Sequence, residues 1–502
     1  MSRASAAAGY GRSGRIRPVV LAAGLGTRMR SRQPKMLHPV CGRPMVGYVL
    51  EAALAGTGER PLVVYSPATA ALADAFAGEA DFVLQAEPRG TGDAVRVALA
   101  ALPASVEEVV VLNGDIPLVH PQVVTDLVTA RREEAAVMAL VSVHAFEPAE
   151  LGRVVRADDG GRVLRIVEAK DATPEELEID EINAGLYAFD AAWLRRRIGD
   201  LRPSAVSGEV YLTALVQLAR SDRRPVVALD VDDDGSLIGV NDRLQLAAAE
   251  RDLRFRINER HMLAGVTFLD PASAHVDASV ELALDVVLEP NVILRGRTRV
   301  GEGTRIASGS QLIDSVVGRD CTIWASVLES AEVEDEVSIG PFSHLRPGAS
   351  IGRGARLGNY AEVKASRVGP GVQQHHFSYL GDTEVGARAN IGAGTITCNY
   401  DGRAKHRTVI GERAFIGSDT MLVAPVTVGD DARTGAGSVV TRDVPAGRTA
   451  VGVPARLRPL PLDGDPAGDA GPAREAPGPE PAPAADGAER REGSAGASSP
   501  GR

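Results

Sequence analysis

A glycine-rich run, Leu21-Ala-Ala-Gly-Leu-Gly-Thr-Arg-Met29, leaves a short apolar stretch and is followed by Pro34-Lys35. Small residues let backbone N–H groups approach a phosphate closely, a helix beginning after the loop would add its positive end, and Arg28 and Lys35 supply cations. The run reads as a nucleotide cradle, much longer than a tight turn needs. Downstream, Val109-Val-Val-Leu-Asn-Gly-Asp115 ends a buried strand with a carboxylate. Asp115 either caps a following turn or holds Mg²⁺, an ion that takes one or two carboxylates together with substrate phosphates. Asn241 is a second oxygen ligand or a helix N-cap. Gln85 and Gly90-Thr91 belong to another Gly-containing loop, able to meet a base edge.

A second set of chemical groups lies in the C-terminal half. Arg346 and Lys364 are 18 residues apart, three steps of six, so on a coil of three six-residue sides they stack on successive coils and can pinch one phosphate. Glu362 and Lys364 flank Val363 and point to the same side, opposite to it. His375 and His376 precede Tyr379 in a polar stretch. An amine attacking a thioester must lose a proton, and imidazole is the side chain whose pKa suits that task near neutrality. The residues alone do not choose between the two histidines.

These groups need elements to hold them. From about residue 15 to 241, β-rich runs (Pro18 to Ala22, Pro61 to Tyr65, Val109 to Leu112) alternate with Ala/Leu/Arg stretches of helical period. That pattern predicts an α/β, Rossmann-like domain with a mostly parallel sheet. Residues 242–263 contain no Gly or Pro and read as one connecting helix. Beyond it, Val333, Ile339, Leu345, Ile351, Leu357 and Val363 repeat every six residues, often followed by Gly. The step predicts a triangular parallel β-helix over 264–456, with one aliphatic side chain per side pointing inward and Gly permitting the corner. Gln373 to Ser378 and Cys398 to Thr408 break the beat and are expected to leave the coil as loops. From residue 457 the chain turns to Pro, Gly, Ala and Ser and reads as a disordered tail.

Composition narrows the function classes. With 55 Lys and Arg against 66 Asp and Glu, the formal net charge is −11, which argues against a nucleic-acid wrapper but leaves room for one focused phosphate cleft. Only 4% of residues are aromatic, as a narrow prism without room for rings requires. Cys41, Cys321 and Cys398 are scattered, so neither a disulfide framework nor a Cys-based zinc site fits, and a reducing cytoplasm does. No stretch reaches the roughly 18 apolar residues of a membrane span. Residues 1–14 lack the apolar segment of a secretion signal and read as a loose extension.

The motifs LAAGLGTRM, PKMLH, GTG, NGD, IVEAKDAT, EINAGLYAFD and GVNDRLQL, then GPFSHLRPGA, HFSYLGD, NIGAGTITCNYDG and IGSDTMLVAPVTVG, occur in order over roughly residues 15–456. In this the chain resembles the bacterial bifunctional N-acetylglucosamine-1-phosphate uridyltransferase and glucosamine-1-phosphate N-acetyltransferase family. The resemblance implies that a left-handed β-helix transfers acetyl from acetyl-coenzyme A to glucosamine 1-phosphate. The N-terminal domain then joins UTP to N-acetylglucosamine 1-phosphate, releasing pyrophosphate and supplying a precursor of cell-envelope polysaccharides. Carried over motif by motif, Leu21, Ala22, Ala23, Gly24, Gln85, Gly90 and Thr91 would hold uridine, and Arg28 and Lys35 would neutralise phosphates. Asp115 and Asn241 would hold Mg²⁺, and Gly152, Glu168 and Asn183 would line the sugar pocket. Arg346, Lys364, Tyr379, Asn390 and Lys405 would bind glucosamine 1-phosphate. Ala393, Asn399, Tyr400, Ser418 and Ala436 would line the acetyl-coenzyme A groove. The family's His three before Tyr selects His376 as the base. Prisms of this kind form homotrimers.

Four departures from the family's usual residues fall in the N-terminal half: the Ser204 to Ala214 segment, Asp93 in place of His, Leu151 in place of Tyr, and Asp242 in place of a second Asn. They leave the phosphate and metal groups intact and bear on sugar discrimination. Two alternatives compete with a bifunctional enzyme. A single-activity nucleotidylyltransferase with a regulatory β-helix would not need His376, Tyr379, Asn399 and Tyr400 together, and a non-catalytic assembly subunit would not keep Lys35, Asp115 and Asn241.

Overall fold

The computed structural model describes residues 15–458 except 146, 147, 149, 150, 158–160 and 233. The expected extension at 1–14 and the tail beyond 458 lie outside the described residues. The N-terminal sheet runs in the order Val226–Val231, Met138–His144, Glu181–Asp190, Val106–Asn113, Arg15–Leu21, Leu62–Tyr65 and Asp81–Leu84. Only Glu181–Asp190 runs antiparallel to its neighbours along this path. A hairpin of Arg153–Arg156 and Val163–Val167 joins it at one side. Val109 to Leu112 are each 0% exposed, because helices cover both faces and a strand buried twice needs apolar residues at every position. Val109 and Val111 enter one core, Val110 and Leu112 the other.

The chain goes from Arg15–Leu21 outward to Leu62–Tyr65 and Asp81–Leu84, then returns to place Val106–Asn113 on the opposite side of Arg15–Leu21. That reversal opens a crevice at the carboxyl ends of Arg15–Leu21 and Val106–Asn113, where ligands bind in open α/β sheets. The helix Arg243–Leu263 follows, capped by Asp242, whose carboxylate accepts from the Gln245 N–H. Its Ala249, Leu253 and Ile257 join Val40, Met45 and Leu118 of the N-terminal half to Val266, Phe268 and the prism interior in one apolar core.

The C-terminal half consists of three sheets of 12, 10 and 9 short strands, in which every strand but the last of the chain pairs parallel with its counterpart one coil away. Val333 aligns with Ile351, Ile339 with Leu357 and Leu345 with Val363, and all six are buried. Trp324, Phe342, Tyr360, Phe377 and Phe415 point outward and are exposed. Arg456–Arg458 closes the stack as an antiparallel strand, so Leu457 and Arg458, expected in the tail, belong to the fold.

Two expectations about the coil need correction. Gln373 to Ser378 is not an insertion: Gln373–Gln374 and Ser378–Gly381 are regular strands, aligned with Arg356–Leu357 and Ala361–Lys364. Gln374 occupies the inward slot, 0% exposed, with its Nε2 donating to Ser378 Oγ at 3.0 Å. A polar residue in an aliphatic position hid the beat. Of the glycines that follow an inward residue, Gly340 has φ +109, but Gly352 and Gly358 are not in the left-handed region. A Cβ on Gly358 would lie 1.8 Å from the His375 carbonyl oxygen and one on Gly352 2.7 Å from the Pro370 nitrogen, so these glycines admit the next coil's backbone. The left-handed corners are shared between glycines at other positions, such as Gly303, Gly348 and Gly354, and non-glycine residues, such as Asn291, Asp314, Tyr360 and Asp382. Cys398 to Thr408 is a true insertion: Thr408 aligns with Thr383, and the extra residues form a loop bridged between Tyr400 and Lys405.

Candidate active sites

In the N-terminal crevice, Ala22 ends its strand by donating to the Val64 carbonyl, and Gly114 donates to Leu21. The N–H groups of Ala23, Gly24, Leu25, Gly26 and Thr27 have no acceptor among the described residues, although Ala23 is buried. Five successive unused donors make an anion cradle. The expected α-helix does not follow it. A 3-10 turn, Thr27–Met29, does, entered through Gly26 at φ 60, and a Cβ on Gly26 would lie 2.5 Å from that of Lys35. Arg28 is exposed on that turn.

Lys35 is 7% exposed. Its Nζ donates to Asp115 Oδ2 at 2.6 Å and to Asn241 Oδ1 at 3.1 Å. The two oxygens proposed from sequence as a metal pair thus already share one cation. One carboxylate and one amide oxygen suit a hard divalent ion that keeps water and phosphate ligands. No cluster of three or more His, Cys, Asp or Glu able to hold a metal occurs among the described residues, so a cage built by protein alone is not what this crevice offers. Asn241 is not the helix cap, since Asp242 takes that role, and Gln245 Oε1 accepts from the Asn241 N–H at 2.7 Å. Gly239 is confined because a Cβ there would lie 3.2 Å from Asp115 Oδ1.

Gln85, buried at the carboxyl end of the edge strand, donates Nε2 to Asp93 Oδ2 at 2.7 Å. Gly90 has φ +113, and a Cβ there would meet the Val210 oxygen at 2.6 Å. Thr91 Oγ1 accepts from the Leu212 N–H. The altered segment is therefore partly a buttress for the Gly90-Thr91 loop, with Val206 on an exposed turn and Thr213 donating to Glu168 at 2.9 Å. Gly152, Glu168 and Asn183 converge: a Gly152 Cβ would lie 3.3 Å from Glu168 Oε2, and the Asn183 N–H donates to the Gly152 carbonyl at 2.8 Å. Burial pushes the Glu168 carboxyl above its ordinary value, against the opposing hydrogen bond from Thr213. Asn183 Nδ2 donates to Tyr187 Oη at 2.6 Å. Leu151 is half-buried beside them.

On the β-helix, Leu345 aligns with Val363, which sets Arg346 over Lys364 as the spacing required. The pinch is not made of two bare cations, because Arg346 pairs with Glu362 at 2.9 Å. Lys405, brought in by the inserted loop, takes the second place: contact with Lys364 and its charge hold the Lys405 ammonium below its ordinary pKa. Tyr379 aligns with Glu362, and its Oη lies over Gly381, where a Cβ would be 2.3 Å away. Asn399 Nδ2 donates to the Asp382 carboxylate. Tyr400 is exposed. A cleft of about 500 Å³ opens beside Lys405, lined also by Ser366, Arg367, Asp382 and Arg407.

The groups assigned from sequence to the acetyl donor divide between this loop and a neighbouring corner. Gln373 aligns with Asn390 and Phe377 accepts from the Gly394 N–H, which puts His376 one coil above Ala393. Ser418 and Ala436 continue the same column on the next two coils. Asn390 lies on the sheet leading into that corner, not on the face of Lys364 and Tyr379. His376 is exposed, and its ring has no hydrogen-bond partner among the described residues, whereas His375 Nε2 meets Gln373 Oε1 at 2.8 Å. Gly381 was not identified from sequence and is legible only once Tyr379 is placed; Glu362 read as a neighbour of Lys364 and Asp93 as a departure, and their pairing with Arg346 and Gln85 is seen only in the structure.

Residues 18–172 match the MobA-like NTP transferase domain, and residues 330–365 and 407–442 match the bacterial transferase hexapeptide repeats. The chain is 44% identical over 440 residues to the bifunctional protein GlmU of Pelobacter propionicus, covering 87% of this chain and 95% of that protein. It is 46% identical over 445 residues to the GlmU of Sorangium cellulosum, covering 86% and 93%. With the GlmU of Mycobacterium bovis it shares 42% identity over 441 residues, covering 86% and 89%.

Proposed function

This chain belongs to the family of bifunctional GlmU proteins, and from that premise we propose how its two sites divide the work. It is a bifunctional transferase of UDP-N-acetylglucosamine synthesis, with an acetyltransferase on the β-helix and a uridyltransferase in the α/β half. We take the working units to be residues 15–241, the connecting helix 242–263 and the β-helix 264–456. The observation that carries the division of labour is that one chain holds two separate polar clusters, each with lysine: Lys35 with Asp115 and Asn241, and Lys364 with Lys405.

In the acetyl transfer, Lys364 and Lys405 would grip the phosphate of glucosamine 1-phosphate, since two ammonium groups held together gain most from an added anion. Arg346, Tyr379 and Asn390 would orient the sugar. His376 would take the proton released as the amine attacks the thioester, and coenzyme A would leave as the thiol. The corner column from His376 through Ala393 and Ser418 to Ala436 spans roughly 14 Å at about 4.8 Å per coil, a path for an extended arm. Asn399 and Tyr400 would close over it. The exposed His376 and the outward rings of Phe342, Tyr360 and Phe377, two of them stacked at 5.4 Å, support a second copy covering this corner. The repeated coils are consistent with association, and we take the state to be a homotrimer.

In the uridylyl transfer, the N–H groups of the 23–27 loop, with Leu21 to Gly24, Gln85, Gly90 and Thr91, would hold UTP. Gly152, Glu168 and Asn183 would hold N-acetylglucosamine 1-phosphate. Asp115 and Asn241 would hold Mg²⁺, whose contribution when bound is to neutralise the triphosphate. Lys35 and Arg28 would add charge where pyrophosphate leaves. No side-chain nucleophile is needed, because the sugar phosphate attacks the α-phosphorus directly and positioning with charge neutralisation supplies the rate. Among the described residues no helix is long and apolar enough to cross a membrane, and we place both reactions in the cytoplasm.

The test incubates the protein with glucosamine 1-phosphate, acetyl-coenzyme A, UTP and Mg²⁺, following free thiol and pyrophosphate separately. Both signals are expected. Thiol without pyrophosphate would leave the α/β half without its assigned activity, and pyrophosphate from pre-acetylated sugar without any thiol would do the same for the β-helix.

A further inference from the structure

Gln85 and Asp93 form a buried hydrogen-bonded pair at the carboxyl end of the edge strand. Gln85 is 2% and Asp93 5% exposed, and the Gln85 Nε2 reaches Asp93 Oδ2 at 2.7 Å. The other carboxylate oxygen pairs with Arg96, one turn along the helix Thr91–Ala101. Burial works against ionising Asp93, but the hydrogen bonds from Arg96 and Gln85 outweigh it and hold the carboxyl below its ordinary value. An ionised carboxylate only accepts, so it must face the nitrogen end of the Gln85 amide. Gln85 Oε1 has no partner among the described residues and is not closed off from solvent. A primary amide has two N–H groups, so the second one and Oε1 are left as an adjacent donor and acceptor.

That pattern has a definite complement. The edge of uracil offers a ring N–H between two carbonyls, matching an acceptor beside a donor. Cytosine offers an unprotonated ring nitrogen beside an amino group, the reverse pattern, which the same amide would match only if turned end for end. We propose that Asp93 is a positioning residue that locks the Gln85 amide in one orientation and so selects uracil over cytosine in the nucleotide substrate. This rests on the reading that Gln85 meets the base. Asp93 stands where the family usually carries His, so in this chain the lock is a charge rather than an imidazole.

The experiment measures pyrophosphate release from UTP and from CTP, each with N-acetylglucosamine 1-phosphate, for the full chain and for Asp93→Asn, Asp93→Ser and Gln85→Leu. Asn in place of Asp93 can donate or accept, so both orientations of Gln85 become available. The ratio of kcat/KM for UTP over CTP is expected to fall about tenfold in both Asp93 variants, the scale of one bidentate base contact. The change should lie in KM, with kcat for UTP kept and acetyl transfer untouched. Gln85→Leu should lower the ratio as well. A ratio lowered by Gln85→Leu but unchanged in both Asp93 variants overturns the lock and leaves Gln85 as the reader. A ratio unchanged by Gln85→Leu shows instead that Gln85 does not meet the base, and the inference falls with that reading. Loss of all pyrophosphate release in both Asp93 variants, with acetyl transfer intact, assigns Asp93 to the fold and also overturns it.

Discussion

In the N-terminal crevice the important charges face their opposites: Lys35 lies between Asp115 and Asn241, and Asp93 between Gln85 and Arg96. On the β-helix, Lys405 faces Lys364 and His376 faces solvent. Burial explains the difference. A charge out of water must be paired, which orients the crevice groups before any substrate arrives. The β-helix groups stand on an outer surface where water screens like charges, so they tolerate one another until an anion or a neighbouring copy completes them. One fold therefore preorganises its site within the chain, and the other leaves part of it to what docks.

The largest effects should come from removing one group from each site. Asp115→Asn is expected to lower pyrophosphate formation about a thousandfold with thiol release unchanged, while His376→Ala lowers thiol release about a hundredfold or more and spares pyrophosphate from pre-acetylated sugar. Loss of both signals in either variant would break the separation of sites.

Next in size is the joint between the regions. His261, 7% exposed near the end of the connecting helix, has a buried Nε2 without a partner, and burial, aided by Arg260, lowers its pKa from 6.5 to about 4. Between those values the unfolded chain binds a proton that the folded chain refuses. Stability should therefore be fully present above pH 6.5 and fall as pH drops toward 4, by up to about 3 kcal/mol. Urea unfolding at about pH 7 and about pH 4.5 should show this slope, and His261→Leu should flatten it.

A smaller effect sharpens the β-helix side. Gly381→Ala puts a Cβ 2.3 Å from Tyr379 Oη, so the ring must move, and KM for glucosamine 1-phosphate should rise about tenfold with the nucleotide reaction unaffected. An unchanged KM would remove Tyr379 from the sugar site. Smallest is Lys405→Met, expected to raise the same KM roughly three- to tenfold, less at high salt because the group is exposed. A rise independent of salt would mean that Lys405 acts through packing rather than charge.

Much of the fold was legible because its signals are local. The six-residue beat from Val333 to Val363 is a direct image of the inward-facing slots, and the apolar run Val109 to Leu112 of a strand covered on both faces. The beat failed at Gln374, where the inward residue is polar and its partner, Ser378, belongs to the following strand. The site residues were legible as types but not as pairs. Arg346 read as half of a cation pinch, and only its ion pair with Glu362 showed it already neutralised. Asn241 by itself read as a helix cap before a ligand, and the structure gives the cap to Asp242 instead.

By itself the sequence determined two architectures, their order along the chain and the residue types available for two transfers, because periodicity and loop chemistry act over a few neighbouring positions. Tertiary structure alone decided which charges meet: Lys35 with Asp115 across 80 residues and with Asn241 across 206, and Lys405 with Lys364 across the inserted loop. The reason is physical. Pairing depends on distance and burial in space, and strand register and sheet order, set by the packing of whole cores, bring those positions together.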